Sequence, residues 1–183
     1  MFYLLLEHPT AVNIDYASHN SCFTPLAYSL INGDTHKVSE LLKHGSDPDN
    51  NIISCEGFSI ILALQDPDPE KGYLHLSMLL EANASTSKRL IINNQPIPNN
   101  LLGFAVGQNH TKSVQLLIGN GIDVNGGIFG DLNLKRSFEK RNCDIAHTLV
   151  KNGARISPGV GQASVLQYSN CLETKRLSMK KFQ

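Results

Sequence analysis

One phrase recurs down this chain: a small polar residue, an aliphatic residue two positions on, a helix-length stretch, a leucine-rich pair and a turn residue. The clearest copy runs Thr24-Pro25-Leu26-Ala27 through Gly33 to Leu41-Leu42-Lys43-His44-Gly45. A second begins at Ser59, keeps Ile61 at the leucine position and ends Met78-Leu79-Leu80-Glu81-Ala82-Asn83-Ala84. A third runs from Asn100 through Leu102 and Asn109 to Leu116-Leu117-Ile118 and Gly121-Ile122-Asp123-Val124-Asn125. A fourth carries Leu134, Ser137, Phe138, Ile145, Leu149-Val150 and Gly153-Ala154. The terminating residues Gly45, Asn83, Gly121 and Gly153 are 38, 38 and 32 residues apart. A unit of that length cannot bury its apolar face alone, so it stacks on its neighbours in a quasi-one-dimensional array. Glycine ends a helix because it adopts the left-handed conformation without steric cost, and asparagine tolerates the same conformation.

The phrase resembles the ankyrin repeat family, whose pattern includes Thr-Pro-Leu-His, a mid-repeat glycine, a Val-Val/Leu-Leu helix and Gly-Ala-Asp-Val-Asn. Thr24-Pro25-Leu26 and Gly121-Ile122-Asp123-Val124-Asn125 are the strongest matches, and the resemblance covers about Leu4 to Cys171. Ala27 stands where the family has histidine, and only the first copy keeps Thr-Pro. Loss of that histidine weakens the hydrogen bonding that ties neighbouring repeats in the family. The resemblance implies an all-α ankyrin-repeat solenoid of helix pairs with short β-hairpin fingers. The asparagine- and isoleucine-rich, decayed repeats also resemble in style the ankyrin proteins of intracellular bacteria and large viruses.

The expected layout is a single ankyrin-repeat domain over 1–183. It has an amino-terminal half-repeat at 1–22, repeats at 23–57, 58–98, 99–130 and 131–162, and capping helices at 163–183. Helix pairs are expected near 24–32 with 36–44, 59–65 with 70–82, 100–108 with 111–119, and 132–140 with 143–151. Small residues in each first helix allow close approach of the next repeat. Leu41-Leu42, Leu79-Leu80 and Leu116-Leu117 supply the apolar ridge of each second helix.

Two insertions break the period. Gln65-Asp66-Pro67-Asp68-Pro69-Glu70-Lys71-Gly72 reads as an acidic loop longer than a tight helix–helix turn, with Pro69 suited to a first helical position. The finger between Asn83 and Asn100 places Leu90-Ile91-Ile92 and Ile97 around Asn93-Asn94-Gln95-Pro96, which reads as a short hairpin bending at the asparagines. Its aliphatic residues either pack on adjacent fingers or present an apolar tip to a partner.

With 41% hydrophobic and 17% charged residues in a chain of 183, the composition is that of a globular protein, and no apolar run approaches membrane-spanning length. The apolar opening Met1-Phe2-Tyr3-Leu4-Leu5-Leu6 lacks a basic lead and meets Glu7-His8-Pro9, which argues against a signal peptide. Cys22, Cys55, Cys143 and Cys171 are scattered without a Cys-x-x-Cys pair, so they read as reduced thiols in a cytoplasmic protein. No metal or cofactor is expected. His36, His44, His75 and His110 lack ligand spacing, and the glycines near Gly126-Gly127 and Gly159 lack the context of a phosphate loop. Charge is uneven. Residues 1–91 hold five Lys/Arg against eleven Asp/Glu, a net of −6, and residues 92–183 hold eleven against five, a net of +6.

These readings point to a non-enzymatic protein–protein interaction module: an adaptor, an inhibitor or an effector secreted into a host cell. The resemblance implies a concave face formed by finger tips and first helices, where Asn50, Asn51, Arg89, Ile91, Gln108, His110, Phe129 and Lys140 are the candidate partner-binding residues. The basic half suits an acidic protein better than nucleic acid, for which no binding motif is present. One alternative is a hydrolase or transferase built on Cys143 and His147, four apart on one helix face. It lacks an orienting partner and an oxyanion site in the sequence. Another is a structural spacer. The partner's identity and the oligomeric state stay open.

Overall fold

The computed structural model describes residues 13–16, 23–50, 59–86, 90–92, 95–97, 101–126, 130–155 and 170–171. Local chemistry sets each helix start. The Thr24 hydroxyl accepts the Ala27 N–H and Pro25 takes the first turn, opening α1 (Pro25–Ile31). The Asp34 carboxylate accepts from the Lys37 N–H to open α2 (Thr35–Lys43). Side-chain oxygens at these positions satisfy amide groups that a helix start leaves without partners. The second pair is α3 (Ser59–Leu64) and α4 (Pro69–Glu81), the latter capped by Asp68 with Pro69 at its start. The third is α5 (Leu101–Gly107) and α6 (Thr111–Gly119). The fourth is α7 (Gly130–Glu139) and α8 (Cys143–Lys151), α8 being capped by Asn142. These eight helices fall within two residues of the sequence expectation, while the half-repeat expected at 1–22 and the capping helices expected at 163–183 lie almost wholly outside the described residues.

Each second helix ends on a residue with positive φ: Gly45, Asn83, Gly121 and Gly153. Asn83 does in the second repeat what glycine does in the others. The turns inside three pairs repeat the device at Gly33, Asn109 and Arg141. In the last of these an arginine carries a conformation that costs an L-residue roughly 1–2 kcal/mol.

The chain divides into two compact units, Met1–Ile97 and Pro98–Gln183. In the first, α1 packs on α3 and α2 on α4; in the second, α5 packs on α7 and α6 on α8. First helices stack on first helices and second on second, as a repeat array requires. The core of the first unit is Leu26, Leu30, Val38, Leu41, Ile60, Leu64, Leu76 and Leu79; that of the second is Leu102, Val106, Val114, Leu117, Leu134, Ile145 and Leu149. Leu42, Leu80 and Leu116 are only half-buried, so one leucine of each pair provides the ridge.

Burial corrects the register of the second repeat. The buried residues of α1 (Leu26, Ala27, Ser29, Leu30) map onto Ile60, Ile61, Ala63 and Leu64, all buried, at an offset of 34. Ile60, not Ile61, therefore holds the leucine position. The second helices keep the offset of 38, since Val38 and Leu41 map onto Leu76 and Leu79. Four residues are thus inserted between α3 and α4. They do not all lie in a loop, as the sequence suggested: Pro69–Gly72 are helical and lengthen α4 to 13 residues, against nine in α2. Four residues make about one α-helical turn, so the inserted segment extends the helix while keeping its buried face in phase.

Side chains of the turns after the second helices tie repeats together. The Asp15 carboxylate accepts from the Asp47 N–H, and the Asp49 carboxylate accepts twice from the Ser85 N–H at 3.1 and 3.0 Å. In the second unit Asn125 Oδ1 accepts from the Arg155 N–H at 2.8 Å while its Nδ2 donates to the Gly153 carbonyl at 2.9 Å. Strands β1 (Leu90–Ile92) and β2 (Gln95–Ile97) pair antiparallel with Leu90 opposite Ile97. Asn93 and Asn94, expected at the bend, lie outside the described residues, as do most positions of the other expected fingers.

Candidate functional site

The inserted turn of α4 builds the most individual feature of the first unit. A recess of about 300 Å³ opens between the end of α1 (Leu30, Ile31, Asn32, Gly33), Leu62 of α3, the segment Gln65–Asp68, and Lys71 on the added turn. Asp66 lies at its inner wall with a side chain only 6% exposed. Its Oδ1 accepts the Asp68 N–H at 2.9 Å. Its Oδ2 receives no hydrogen bond from the described residues: His75 Nδ1 stands 3.6 Å away, beyond hydrogen-bonding range. Gly33 adopts φ +64°, and a Cβ there would sit 3.8 Å from both Asp66 Oδ2 and Lys71 Nζ. A Cβ would therefore make ordinary contact with both groups, and it is the left-handed backbone that favours glycine there.

Behind the recess His75 is wholly buried. Its Nε2 lies 2.9 Å from Thr35 Oγ1 on α2, while its Nδ1 has no hydrogen-bond partner. Burial holds the imidazole below its usual pKa of 6.5; the Asp66 carboxylate pulls it upward less strongly, and Lys71 adds to the depression. A neutral His75 consequently gives Asp66 no countercharge.

Beside the recess α1 turns two large apolar side chains to solvent. Tyr28 is 63% exposed and Ile31 51% exposed. They are three residues apart and share a helix face, and Ile31 also lines the recess. Tyr16 and Phe23 are exposed in the same unit.

The residues singled out from sequence distribute as follows. Asn50 is half-buried after α2, its Nδ2 directed to the Asp15 carbonyl at 3.5 Å. Gln108 and Lys140 are exposed and, 32 residues apart, take equivalent places in the turns inside their pairs; His110 is half-buried at the start of α6. Asn50 thus follows a second helix, whereas Gln108 and Lys140 lie in the turn between two helices, the opposite end of a pair. Asn51, Arg89 and Phe129 lie outside the described residues, and Ile91 falls within β1. Tyr28, Ile31 and Asp66 were not singled out. The signal for the first two was a pair of bulky apolar residues at non-core positions of α1.

Two sequence readings are corrected here. Cys143 is not a reduced thiol: it is bonded to Cys171, with Cα atoms 5.2 Å apart. The alternative in which Cys143 acts as a nucleophile beside His147 loses its thiol. The sequence concealed the pair because 28 residues separate the two cysteines and only the folded chain brings them together. Among the described residues no cluster of His, Cys, Asp and Glu could hold a metal ion. None of their helices is long and apolar enough to cross a membrane.

No protein-family model matches the chain, and no curated protein matches it. Among solved structures the chain is similar to the human ASB11 ankyrin repeat domain, at 16% identity over 91% of this chain and 92% of that one, with a TM-score of 0.48. The ankyrin-type architecture is carried by the four helix pairs among the described residues, the first-on-first and second-on-second stacking within each unit, and the positive-φ terminators.

Proposed function

We propose that the chain is a non-enzymatic protein–protein interaction module that engages its partner through the exposed side of its first helices. The observation that carries this reading is the outward pair Tyr28 and Ile31. Large apolar side chains at solvent-facing positions lower stability in water relative to polar ones and gain when a partner covers them. Adaptor, inhibitor and secreted effector are the roles open to such a module, and Asn50, Gln108, His110 and Lys140 are further contact positions to be tested.

Charge gives the second half of the proposal. No charged residue lies between Ile92 and Ile97, so the unit boundary falls on the charge boundary, leaving −6 on the first unit and +6 on the second. Lys140 and Arg141 are exposed in the turn before α8, whereas Arg136 directs Nη1 to the Gly103 carbonyl at 3.4 Å and contributes to packing. Lys140 and Arg141 therefore suit steering of an acidic partner surface better than Arg136.

The test is affinity capture from cell lysate with the wild-type chain and a Tyr28→Ser/Ile31→Ser variant of matched denaturation midpoint. Proteins retained by the wild type and lost by the variant are the expected result. A wild-type column retaining nothing that the variant does not also retain overturns the reading.

A further inference from the structure

We infer that the recess beside Gly33 receives an arginine side chain of the partner protein, its guanidinium on Oδ2 of Asp66 and its aliphatic stem on Leu30, Ile31 and Leu62. The inference rests on the interaction-module reading and names the chemistry recognised at one edge of that surface.

A carboxylate withdrawn from water is stable only when it is hydrogen-bonded and its charge is matched. Asp66 satisfies half of this, since Oδ1 is bonded within its own turn and Oδ2 receives no hydrogen bond from the described residues. The two resident groups that could complete it do not. His75 Nδ1 is too distant and its ring is held neutral by burial. Lys71 lines the recess and forms no ion pair with Asp66. What is missing is a cationic donor entering from solvent.

Size and surroundings narrow that donor. About 300 Å³ lies at the lower limit for small-molecule pockets, room for a side chain rather than a cofactor. The lining combines apolar surface from Leu30, Ile31, Leu62 and Pro67 with Asp66, Asp68 and one lysine, an excess of negative charge that disfavours anions. Arginine fits better than lysine. Asn32, which also lines the recess, donates its Nδ2 to the Tyr28 carbonyl at 2.7 Å and keeps its Oδ1 as a second acceptor in the lining. A planar guanidinium carries five donors for such an array and sheds its hydration more readily than an ammonium. A residue presented along the Tyr28–Ile31 face reaches the recess past Ile31, which belongs to both surfaces.

The experiment is a heteronuclear NMR titration of the full chain with the blocked tripeptide acetyl-Leu-Arg-Leu-amide and with its lysine and citrulline counterparts. The arginine peptide is expected to shift the amide signals of Gly33, Asp66 and Lys71 saturably, with citrulline weaker by about tenfold or more because the charge-assisted bond is lost. Asp66→Asn, which keeps the Oδ1 acceptor for the Asp68 N–H, is expected to abolish the difference between arginine and citrulline. Lys71→Gln, which removes a competing cation, is expected to tighten arginine binding. Equal binding of arginine and citrulline, stronger binding of lysine, or an unchanged arginine preference in Asp66→Asn each overturns the proposal. If that happens while capture still depends on Tyr28 and Ile31, only the recess assignment falls. If capture also fails, the interaction-module reading falls with it.

Discussion

Thr35 Oγ1 and His75 Nε2 stand 2.9 Å apart, joining the second helices of neighbouring repeats through an imidazole with no exposure to solvent. With Nε2 accepting from the hydroxyl, Nδ1 carries the proton and faces Asp66 Oδ2, with Lys71 the other charged group acting on the ring. Protonating the ring would end its acceptance from Thr35 and place a charge in the core.

A pH dependence follows. The folded-state pKa of His75 lies below the ordinary 6.5. Above 6.5 both states are neutral and the full stability is present. As pH falls below 6.5 the unfolded chain takes up a proton first, and stability declines until the folded-state pKa is reached. Urea midpoints measured from about pH 7.5 to about pH 5.5 should fall for the wild type and fall less for His75→Gln. Identical slopes would mean that His75 titrates alike in both states.

Gly72→Ala should destabilise, although alanine is favoured over glycine in a helix by up to about 1 kcal/mol. A Cβ at Gly72 would lie 2.6 Å from the Ala63 carbonyl oxygen, on the backbone of α3. Separating α4 from α3 to relieve that contact costs about 1–3 kcal/mol. A denaturation midpoint at or above that of the wild type would show that the two helices part without loss.

Leu79→Ala and Leu117→Ala remove fully buried side chains from the ridges of α4 and α6. Each should cost about 2–5 kcal/mol. Because the two lie in different compact units, circular dichroism at 222 nm should be accompanied by amide exchange, which reports the loss in the mutated unit. Midpoints close to wild type would contradict the burial.

The Cys143–Cys171 bond closes a loop of sequence separation 28. Chain-entropy arguments give such a cross-link up to about 3.5 kcal/mol. A digest of the unreduced protein should contain the two cysteines in one linked peptide, and Cys143→Ser should lower the denaturation midpoint under oxidising conditions and match the wild type under reductant. Recovery of both cysteines alkylated without reductant would remove the bond.

Much of the fold could be read because it is local. Thr24, Asp68 and Asn142 start helices through bonds to amides two or three residues on, and Pro69 fits a first turn by its fixed φ. The second repeat differs from the sequence reading by one residue because Ile60 and Ile61 are chemically alike and both buried, and only the phase of the whole buried pattern of α3 against that of α1 separates them. The candidate site was hardly legible. Asp66 appears as one acidic residue in an acidic stretch, and nothing in that stretch announces His75 as its neighbour, or Thr35 as the neighbour of His75.

The sequence by itself determined the repeat period, the helix pairs and the left-handed terminators at Gly45, Asn83, Gly121 and Gly153, because helix starts, stops and amphipathic faces depend on residues within a few positions of each other. The tertiary structure alone decided that four inserted residues become a helical turn, that Cys143 meets Cys171, and that an aspartate, a histidine and a threonine converge from three segments behind a recess. Those outcomes depend on packing between segments: Cys143 and Cys171 are 28 positions apart and Thr35 and His75 are 40 apart, and no local pattern records such pairings.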